Sequence, residues 1–297
     1  SLKTTEVWKN INWRVINRRV FRIQKRIYRA SERGDVRTMR GLQRLLLRSY
    51  SAKLLAVRRV TQDNQGKKTA GVDGIKAVKQ PERLKLAKSL KLGDKAKPTR
   101  RVWIPKPGKD EKRPLGIPTM YDRALQALVK LALEPEWEAT FEPNSYGFRP
   151  GRSCHDAIQQ IYLELKNCHK FVLDADIAKC FDKINHETLL NKINTYPTLR
   201  KQIKAWLKSG VMDNGIFERT LAGTPQGGVI SPLLANIALH GMELHINNCL
   251  GIKTKSNQPH LIRYADDLVI LHKELEVIEE CKVILEKWLK PLGLELK

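Results

Sequence analysis

The chain has 297 residues, of which 41% are hydrophobic, and this is enough for about two globular domains with a sizeable core. It contains no run of about 18 uncharged apolar residues and no apolar leader, so we expect a soluble, intracellular protein that is not secreted. Five dispersed cysteines lack any Cys-x-x-Cys pair, which argues against a disulfide framework and against a zinc site.

The net charge of +24 predicts a polyanionic partner. All of the excess lies in residues 1–113, which hold 33 Lys and Arg against 9 Asp and Glu. The other 184 residues hold 22 charges of each sign. One part of the chain is therefore suited to binding phosphates, and the other is electrically balanced.

Two amphipathic helices are predicted at the basic end, over residues 15–32 and from Asp35 to about Arg59, with Gly34 as the break and Asp35 as the N-cap. At about 100° per residue, their basic side chains lie opposite the apolar ones. A charge run is usually a solvated face, but acidic partners are almost missing here, so we expect contact with nucleic acid. The side chains expected to bind RNA are Arg14, Arg18, Arg22, Lys25, Arg26, Arg29, Arg33, Arg37, Arg40 and Arg44.

Loops, helices and strands alternate along the rest of the chain. A loop is predicted over residues 62–74 with a tight turn at 71–74, and two strands joined by a mobile tip are expected over residues 100–118. Further helices are predicted at residues 81–90, 123–137 and 154–166, in stretches up to 209, from about 231, and at 274–289. Strands are predicted at 171–177 and 292–297, and a second strand pair is predicted near 215–222. This alternation, without internal repeats, favours a mixed α/β or α+β fold.

Two strands that bear carboxylates predict a metal site. A hairpin centred on the adjacent Asp266 and Asp267 lies in the apolar run 261–271, and Asp176 follows another apolar strand. Placing Asp176 beside the hairpin would bring carboxylates together, and their repulsion would make the arrangement costly without a cation. Two Mg²⁺ ions about 4 Å apart can activate a hydroxyl and stabilise a leaving pyrophosphate, so the pattern predicts a polymerase site.

Five motifs occur in a fixed order: RPLGIPT at 113–119 with Asp122 and Arg123, NSYGFRPGRS at 144–153, DIAKCFD at 176–182, GTPQGGVISPL at 223–233 and YADD at 264–267. Together they resemble reverse transcriptases, and most closely the maturase proteins encoded by group II introns. The resemblance implies an α+β fold with right-hand polymerase fingers and palm, the palm built on an antiparallel ferredoxin-like sheet backed by helices. It assigns residues 1–65 to a basic helical N-terminal extension, 66–150 to the fingers and 151–297 to the palm, with thumb and later domains absent.

The resemblance also implies the residues of a catalytic site. Asp176, Asp266 and Asp267 would form the catalytic triad and bind two Mg²⁺ ions, for which Mn²⁺ can substitute. The main-chain carbonyl of Ile177 would be an additional metal ligand. Asp267 is the least certain of the three as a direct ligand. Asp174, on the same face of its strand as Asp176, is a minor alternative, although a structural role is favoured for it.

Four further residues are implied to bind the incoming nucleotide. Phe181 would lie beneath the sugar, where its ring would clash with a 2′-hydroxyl and select deoxynucleotides, although simple core packing is the alternative. Gln226 would lie near the nucleotide. Lys106 and Arg113 would neutralise triphosphate charge, and a general RNA contact is the alternative for both.

The leading interpretation is an RNA-directed DNA polymerase that binds group II intron RNA, assists its splicing and copies it into DNA during intron mobility. Its expected partners are the intron RNA, an RNA template with a DNA primer, dNTPs, and target DNA through regions missing here. The resemblance implies a location in the bacterial cytoplasm or an organellar matrix. No membrane partner is expected, and the oligomeric state is open. The first alternative is an RNA-binding splicing factor with incidental or lost polymerase activity, which the three intact aspartates disfavour. A reverse transcriptase of another element, or an RNA-templated RNA polymerase, comes third.

Overall fold

The computed structural model describes residues 7–105, 108, 110–166, 168–252, 254 and 257–297. Within this part of the chain, no helix is both long enough and apolar enough to cross a bilayer. The chain divides into two compact units: the first comprises Ser1–Thr140, Asn194–Leu221 and Pro225–Ser231, and the second comprises Phe141–Ile193, Ala222–Thr224 and Pro232–Lys297. The boundaries expected at residues 65 and 150 stay a prediction.

The α-helices, in chain order, are α1 (Trp13–Glu32), α2 (Val36–Arg48), α3 (Tyr50–Arg58), α4 (Gln80–Ser89), α5 (Met120–Glu138), α6 (Cys154–Leu165), α7 (Cys180–Lys183), α8 (His186–Ile193), α9 (Pro197–Leu207), α10 (Ser231–Leu239), α11 (Met242–Leu250) and α12 (Leu275–Leu289). The strands are β1 (Thr99–Pro105), β2 (Lys112–Ile117), β3 (Phe171–Asp176), β4 (Val211–Asp213), β5 (Ile216–Glu218), β6 (His260–Tyr264) and β7 (Asp267–His272). Most of the predicted elements are therefore confirmed within a few residues.

The two basic helices bury their apolar side chains, so the predicted separation of basic and apolar faces is confirmed. In α1 the buried side chains include Ile16, Val20 and Ile27, and the helix contacts α2, α3 and α5. The Asp35 side chain accepts a hydrogen bond of 3.0 Å from the Thr38 amide, which confirms it as the N-cap of α2. The basic side chains of α1 consequently remain on the exposed side.

The second helix was predicted to run unbroken to about Arg59, and this is wrong. Ser49 adopts an extended conformation, with φ −64° and ψ 122°, and separates α2 from α3. Whereas α2 is amphipathic, α3 is buried over most of its surface and contacts α1, α4 and α5. A change of direction at Ser49 lets the apolar segment enter the core, so tertiary packing overrides local helix propensity.

A four-stranded sheet in the first unit has the order β2-β1-β4-β5. The two predicted strands are confirmed as β1 and β2, which pair antiparallel, and β1 also pairs in parallel with β4. The second strand pair was placed too late in the sequence: it begins at Val211 because Asn214 and Gly215, both with positive φ, form the turn between β4 and β5. Of the tip between β1 and β2, residues 106, 107 and 109 lie outside the described residues.

The second unit contains an antiparallel three-stranded sheet in the order β3-β7-β6. Helix α6 contacts β6, and α12 contacts both β3 and β7. A small apolar cluster between α6 and the sheet contains Tyr146, Ala157, Ile262 and Leu271. The strand predicted at 292–297 is reduced to a single antiparallel bridge between Ile177 and Leu296 in the described structure. The sheet therefore presents the end of β3 beside the turn between β6 and β7.

Candidate active site and nucleic-acid interface

Two of the predicted aspartates face each other across the sheet of the second unit. Asp176 is the last residue of β3, and it is directly opposite Asp267, the first residue of β7. Residues opposite each other in an antiparallel pair direct their side chains to the same face. Asp266 precedes Asp267 in the turn, so the structure brings the end of β3 and the predicted triad together at one edge of the sheet.

The turn that carries Asp266 has an unusual backbone. Strand β6 ends at Tyr264 and β7 begins at Asp267, so Ala265 and Asp266 form a two-residue turn. Ala265 has φ +59°, a conformation that hairpins normally assign to glycine. The Ile177 amide donates a hydrogen bond of 3.2 Å to the Asp266 carbonyl, which links the turn to the end of β3.

The aspartates repel one another in this arrangement. Burial raises the pKa of Asp266, and the negative charges of Asp267 and Asp176 raise it further. The pKa of Asp267 is raised by burial and then by Asp176 and Asp174. The Lys297 ammonium lies 3.5 Å from Asp176 and offsets part of this charge. A bound divalent cation would offset more of it.

The donor set suits Mg²⁺ although it is not a complete cage. In the described part of the chain, no three His, Cys, Asp or Glu side chains are arranged to hold an ion by themselves. Mg²⁺ is usually bound through one or two carboxylates, waters and substrate phosphates, so it does not need such a cage. Asp176 and Asp267 supply paired carboxylates, and Ile177 is buried directly after Asp176. The residues present therefore fit the ion expected from the sequence.

Phe181 lies on α7, close after Asp176 in sequence. Its ring packs edge-on against Phe148, with ring centroids 6.2 Å apart and an interplanar angle of 77°. The Phe181 carbonyl accepts a hydrogen bond of 2.6 Å from the Thr224 amide, and a Cβ on Gly223 would lie 2.6 Å from this same carbonyl oxygen. Phe181 is half-buried on α7, and the hydrogen bond from Thr224 holds its backbone in place. Its proposed contact with a sugar stays a prediction.

The remaining nucleotide-binding candidates belong to the first unit. Arg113 is exposed on β2, and three residues later the Gly116 amide donates a hydrogen bond of 2.6 Å to the Gln226 carbonyl. Gly227 follows with φ +102°, and a Cβ there would meet the Gly116 carbonyl at 3.0 Å. The fold thus places the Gln226 segment against β2. Lys106 lies outside the described residues, so its position relative to Arg113 stays a prediction.

The predicted RNA-binding surface is largely exposed. Helix α1 contains seven basic residues and one acidic residue, and its basic side chains are solvent-exposed. Two of the predicted contacts on α2 also have partners within the first unit. Arg40 donates a hydrogen bond of 2.6 Å to the Asn194 carbonyl, and the Arg44 guanidinium lies 4.5 Å from the centre of the Tyr196 ring. These two side chains therefore also stabilise the packing of their own unit.

A groove of about 370 Å³ borders this basic surface. Phe21, whose side chain is 63% exposed, lines it together with the cations Arg18 and Arg59. An aromatic face beside guanidinium groups can bind an unpaired base while the cations hold its phosphates. The groove extends the predicted interface from a purely charged surface to one with an aromatic component.

One residue that sequence reasoning missed contacts the turn that carries Asp266. Arg263 on β6 is fully buried, at 1% exposure, and donates hydrogen bonds to Asn236, Ala265 and Ser145. Burial lowers the pKa of Arg263 to about 10, so the guanidinium stays charged at neutral pH. The available signal was its position inside the apolar run 261–271, since a charge in a buried strand needs polar partners.

Comparison with known protein families identifies the family of the chain. The chain matches the family described as "Reverse transcriptase (RNA-dependent DNA polymerase)" over residues 104–297. It matches "N-terminal domain of reverse transcriptase" over residues 8–90. The chain belongs to the reverse transcriptase family. The α+β fold with fingers and palm that was expected from the sequence is thereby confirmed.

Its curated relatives include proteins encoded by introns. "Group II intron-encoded protein LtrA" of Lactococcus lactis subsp. cremoris is 37% identical over 75% of this chain and 39% of its own length. "Protein YkfC" of Escherichia coli K12 is 33% identical over 84% of this chain and 77% of its own length. Apo telomerase from Candida tropicalis aligns with a TM-score of 0.48 and 13% identity, over 67% of this chain and 48% of that one, a likeness too weak to bear on function. The chain thus spans about two fifths of the Lactococcus protein.

Proposed function

We propose that the chain is the polymerase portion of an RNA-directed DNA polymerase that binds group II intron RNA, assists its splicing and copies it into DNA. The observation that carries the proposal is the direct pairing of Asp176 with Asp267 beside Asp266, in a chain of the reverse transcriptase family. Similarity to an intron-encoded protein supports the intron as the RNA partner. The intact carboxylates favour a working polymerase over a splicing factor that has lost this activity.

Reverse transcriptases generally use Mg²⁺, and the chain offers carboxylates for it. Asp176, Asp266 and Asp267 would hold two ions, with the Ile177 carbonyl as a further ligand. When bound, Mg²⁺ would activate the primer 3′-hydroxyl and stabilise the leaving pyrophosphate. The residues themselves fix where the negative charge of the site lies, because the sheet pairs Asp176 with Asp267 before any substrate arrives.

Substrate binding is assigned to the remaining candidates. Lys106 and Arg113 would neutralise the triphosphate, and the Gln226 segment would border the nucleotide. The Phe181 ring would exclude a 2′-hydroxyl and so favour dNTPs over ribonucleotides. The exposed basic face of α1 would hold RNA through its phosphates, separately from the chemistry.

The proposal is tested by primer extension on an RNA template with a DNA primer, Mg²⁺ and dNTPs. The wild-type protein should extend the primer, and Asp266→Ala should lower the rate about 10²- to 10³-fold, since metal stabilisation of the transition state is worth several kcal/mol. Glu279→Gln is the control, because Glu279 is an exposed carboxylate of the second unit that lies on α12 and not on the strands of the site. Normal extension by Asp266→Ala would show that the catalytic assignment is wrong.

A further inference from the structure

The Ala265-Asp266 turn needs support from outside the hairpin. The positive φ of Ala265 is unfavourable for a residue with a Cβ, and a turn of this length usually has glycine at such a position. Strained backbone of this kind persists when the surrounding structure holds it in place. Contacts from residues outside the turn are therefore needed to stabilise it.

The Arg263 side chain contacts the turn directly. Its Nη1 donates a hydrogen bond of 2.8 Å to the Ala265 carbonyl and one of 3.0 Å to Asn236 Oδ1, and its Nη2 donates one of 2.8 Å to Ser145 Oγ. One planar guanidinium thus ties the turn to α10 and to the segment that contains Ser145. A fork with fixed donor geometry is suited to this task, whereas a lysine ammonium would not match three acceptors in one plane.

Backbone contacts complete the support. The Asn236 side chain donates a hydrogen bond of 2.7 Å to the Gly147 carbonyl, and the Tyr146 amide donates one of 2.9 Å to the Arg263 carbonyl. A Cβ on Gly147 would lie 2.3 Å from the Ala265 nitrogen, so this backbone lies tightly against the turn. The NSYGFRPGRS motif therefore has a structural role beside the aspartates in addition to connecting elements of the fold.

Burial of Arg263 carries a desolvation cost that its hydrogen bonds offset only in part. The side chain is almost fully buried, and its Nε has no hydrogen-bond partner in the described part of the chain. Buried polar groups of this kind often mark a functional demand, because an apolar side chain would serve packing alone with less desolvation. Holding the turn that carries Asp266 in place is such a function.

We propose that Arg263 is a positioning residue that holds the Ala265-Asp266 turn through the Ala265 carbonyl, with Ser145 and Asn236 as its anchors, and so presents Asp266 beside Asp176 for the metal. The inference rests on the proposed polymerase function, which it deepens. Arg263 acts through the backbone of the turn and does not itself contact the ion or the substrate. Loss of the Arg263 fork should therefore weaken metal binding more than it weakens nucleotide binding.

The test is Mn²⁺ binding by the whole chain, measured by the loss of the free-ion electron paramagnetic resonance signal. Arg263→Lys keeps the charge and loses the fork, and Gly147→Ala displaces the turn from the other side. Both should raise the Mn²⁺ dissociation constant at least about tenfold, the usual cost of removing a group that orients metal ligands. In primer extension, the Mg²⁺ concentration for half-maximal rate should rise in parallel, while the KM for dNTPs changes less than about twofold.

Leu189→Ala is the control. Leu189 is fully buried on α8 in the second unit, so its truncation leaves a cavity and should lower the unfolding temperature. Mn²⁺ affinity should stay within about twofold of wild type. Equal weakening of Mn²⁺ binding by Leu189→Ala would overturn the proposal, since general loosening of the unit would then explain the effect.

The remaining outcomes are also decisive. A folded Arg263→Lys protein that binds Mn²⁺ like wild type overturns the positioning role. If Arg263 variants do not fold, Ser145→Ala removes one anchor and decides the matter: weaker Mn²⁺ binding supports the proposal, and unchanged binding overturns it. A wild-type protein that binds Mn²⁺ but extends no primer would overturn the polymerase function alone. Failure of the wild-type protein to bind Mn²⁺ would overturn both.

Discussion

Asp176 and Asp267 are directly paired across β3 and β7, so two carboxylates share one face of the sheet with no residue between them. Like charges in this position destabilise a sheet by up to about 1 kcal/mol. Asp267→Asn should therefore raise the unfolding free energy by about 0.5 to 1 kcal/mol in EDTA, measured by urea denaturation. In Mg²⁺ the wild-type protein should be more stable than Asp267→Asn, because ion binding raises the unfolding free energy of the wild type more than that of the variant.

The control for this experiment is Asp94→Asn. Asp94 is an exposed aspartate of the first unit, so its removal should change stability in the same small way with and without Mg²⁺. If Asp267→Asn and Asp94→Asn respond identically to Mg²⁺, the paired carboxylates do not form the ion site.

Phe181 should act as a filter against ribonucleotides. Phe181→Ala removes the ring that would meet a 2′-hydroxyl, so incorporation of ribonucleotides relative to dNTPs should increase at least about tenfold, as expected when about 1.4 kcal/mol of discrimination is lost. Single-nucleotide extension with each substrate measures the ratio. Phe171→Ala, at an exposed phenylalanine on β3, is the matched control and should leave the ratio unchanged.

A purely structural role for Phe181 makes a different prediction. Its ring packs against Phe148, so loss of packing alone would lower the unfolding temperature without changing the ratio. Phe148→Leu, which removes the neighbour and keeps Phe181, should reproduce that loss of stability with little effect on selectivity. A wild-type ratio in a stable Phe181→Ala protein would therefore contradict the filter.

The basic face of α1 should bind RNA independently of the chemistry. Replacing Arg14, Arg18, Arg22 and Arg29 with Gln removes four exposed cations, so the slope of log K against log salt should become shallower by about 3. RNA affinity should fall in filter-binding titrations, while extension of a short template-primer at saturating concentration stays near wild type.

The control is a variant that loses four positive charges from a different surface. Lys273, Lys282, Lys287 and Lys290 are exposed lysines of the second unit, and replacing them with Gln removes the same charge from a different surface. This variant should keep most of the RNA affinity. If it loses as much affinity as the α1 variant, binding depends on net charge and the α1 face is not a defined interface.

Local patterns predicted most of the helices and the central hairpin. Apolar periodicity and the Asp35 cap define α1 and α2, and alternating strand formers around Asp266 define β6 and β7. The Asn214-Gly215 turn also follows from local sequence, because Asn-Gly is the strongest short hairpin signal, and it explains why β4 begins before residue 215. These features depend on neighbours in sequence, so sequence alone is sufficient for them.

Pairings between distant residues could not be read in this way. Arg123 lies in one of the matched motifs, yet its role is visible in the structure alone: its guanidinium donates to the carbonyls of Pro118, Gly66 and Thr69 and fastens the loop before α4 to the start of α5. Arg263 likewise meets Ser145, which is 118 positions away. A buried arginine signals that polar partners exist, but only the fold determines which ones they are.

Glu243 should make stability depend on pH in the neutral range. It lies in the first turn of α11, accepts a hydrogen bond of 3.2 Å from Asn144, and faces the negative charge of Glu142. Burial, followed by Glu142, raises the pKa of Glu243 from 4.5 to about 7. The folded state therefore holds this proton more tightly than the unfolded state, and the associated stability is lost as pH rises from about 4.5 through 7.

Glu243→Gln keeps the hydrogen-bond acceptor and removes the titration. The variant should match wild type near pH 5 and exceed it at pH 8 by on the order of 2 kcal/mol, measured by urea unfolding at both values. Burial also lowers the pKa of His240, and that of Lys192 to about 8, but both groups remain in the variant and cancel in the difference. Glu279→Gln, at an exposed glutamate on α12, should show no such pH-dependent gain, and an equal gain there would contradict the role of Glu243.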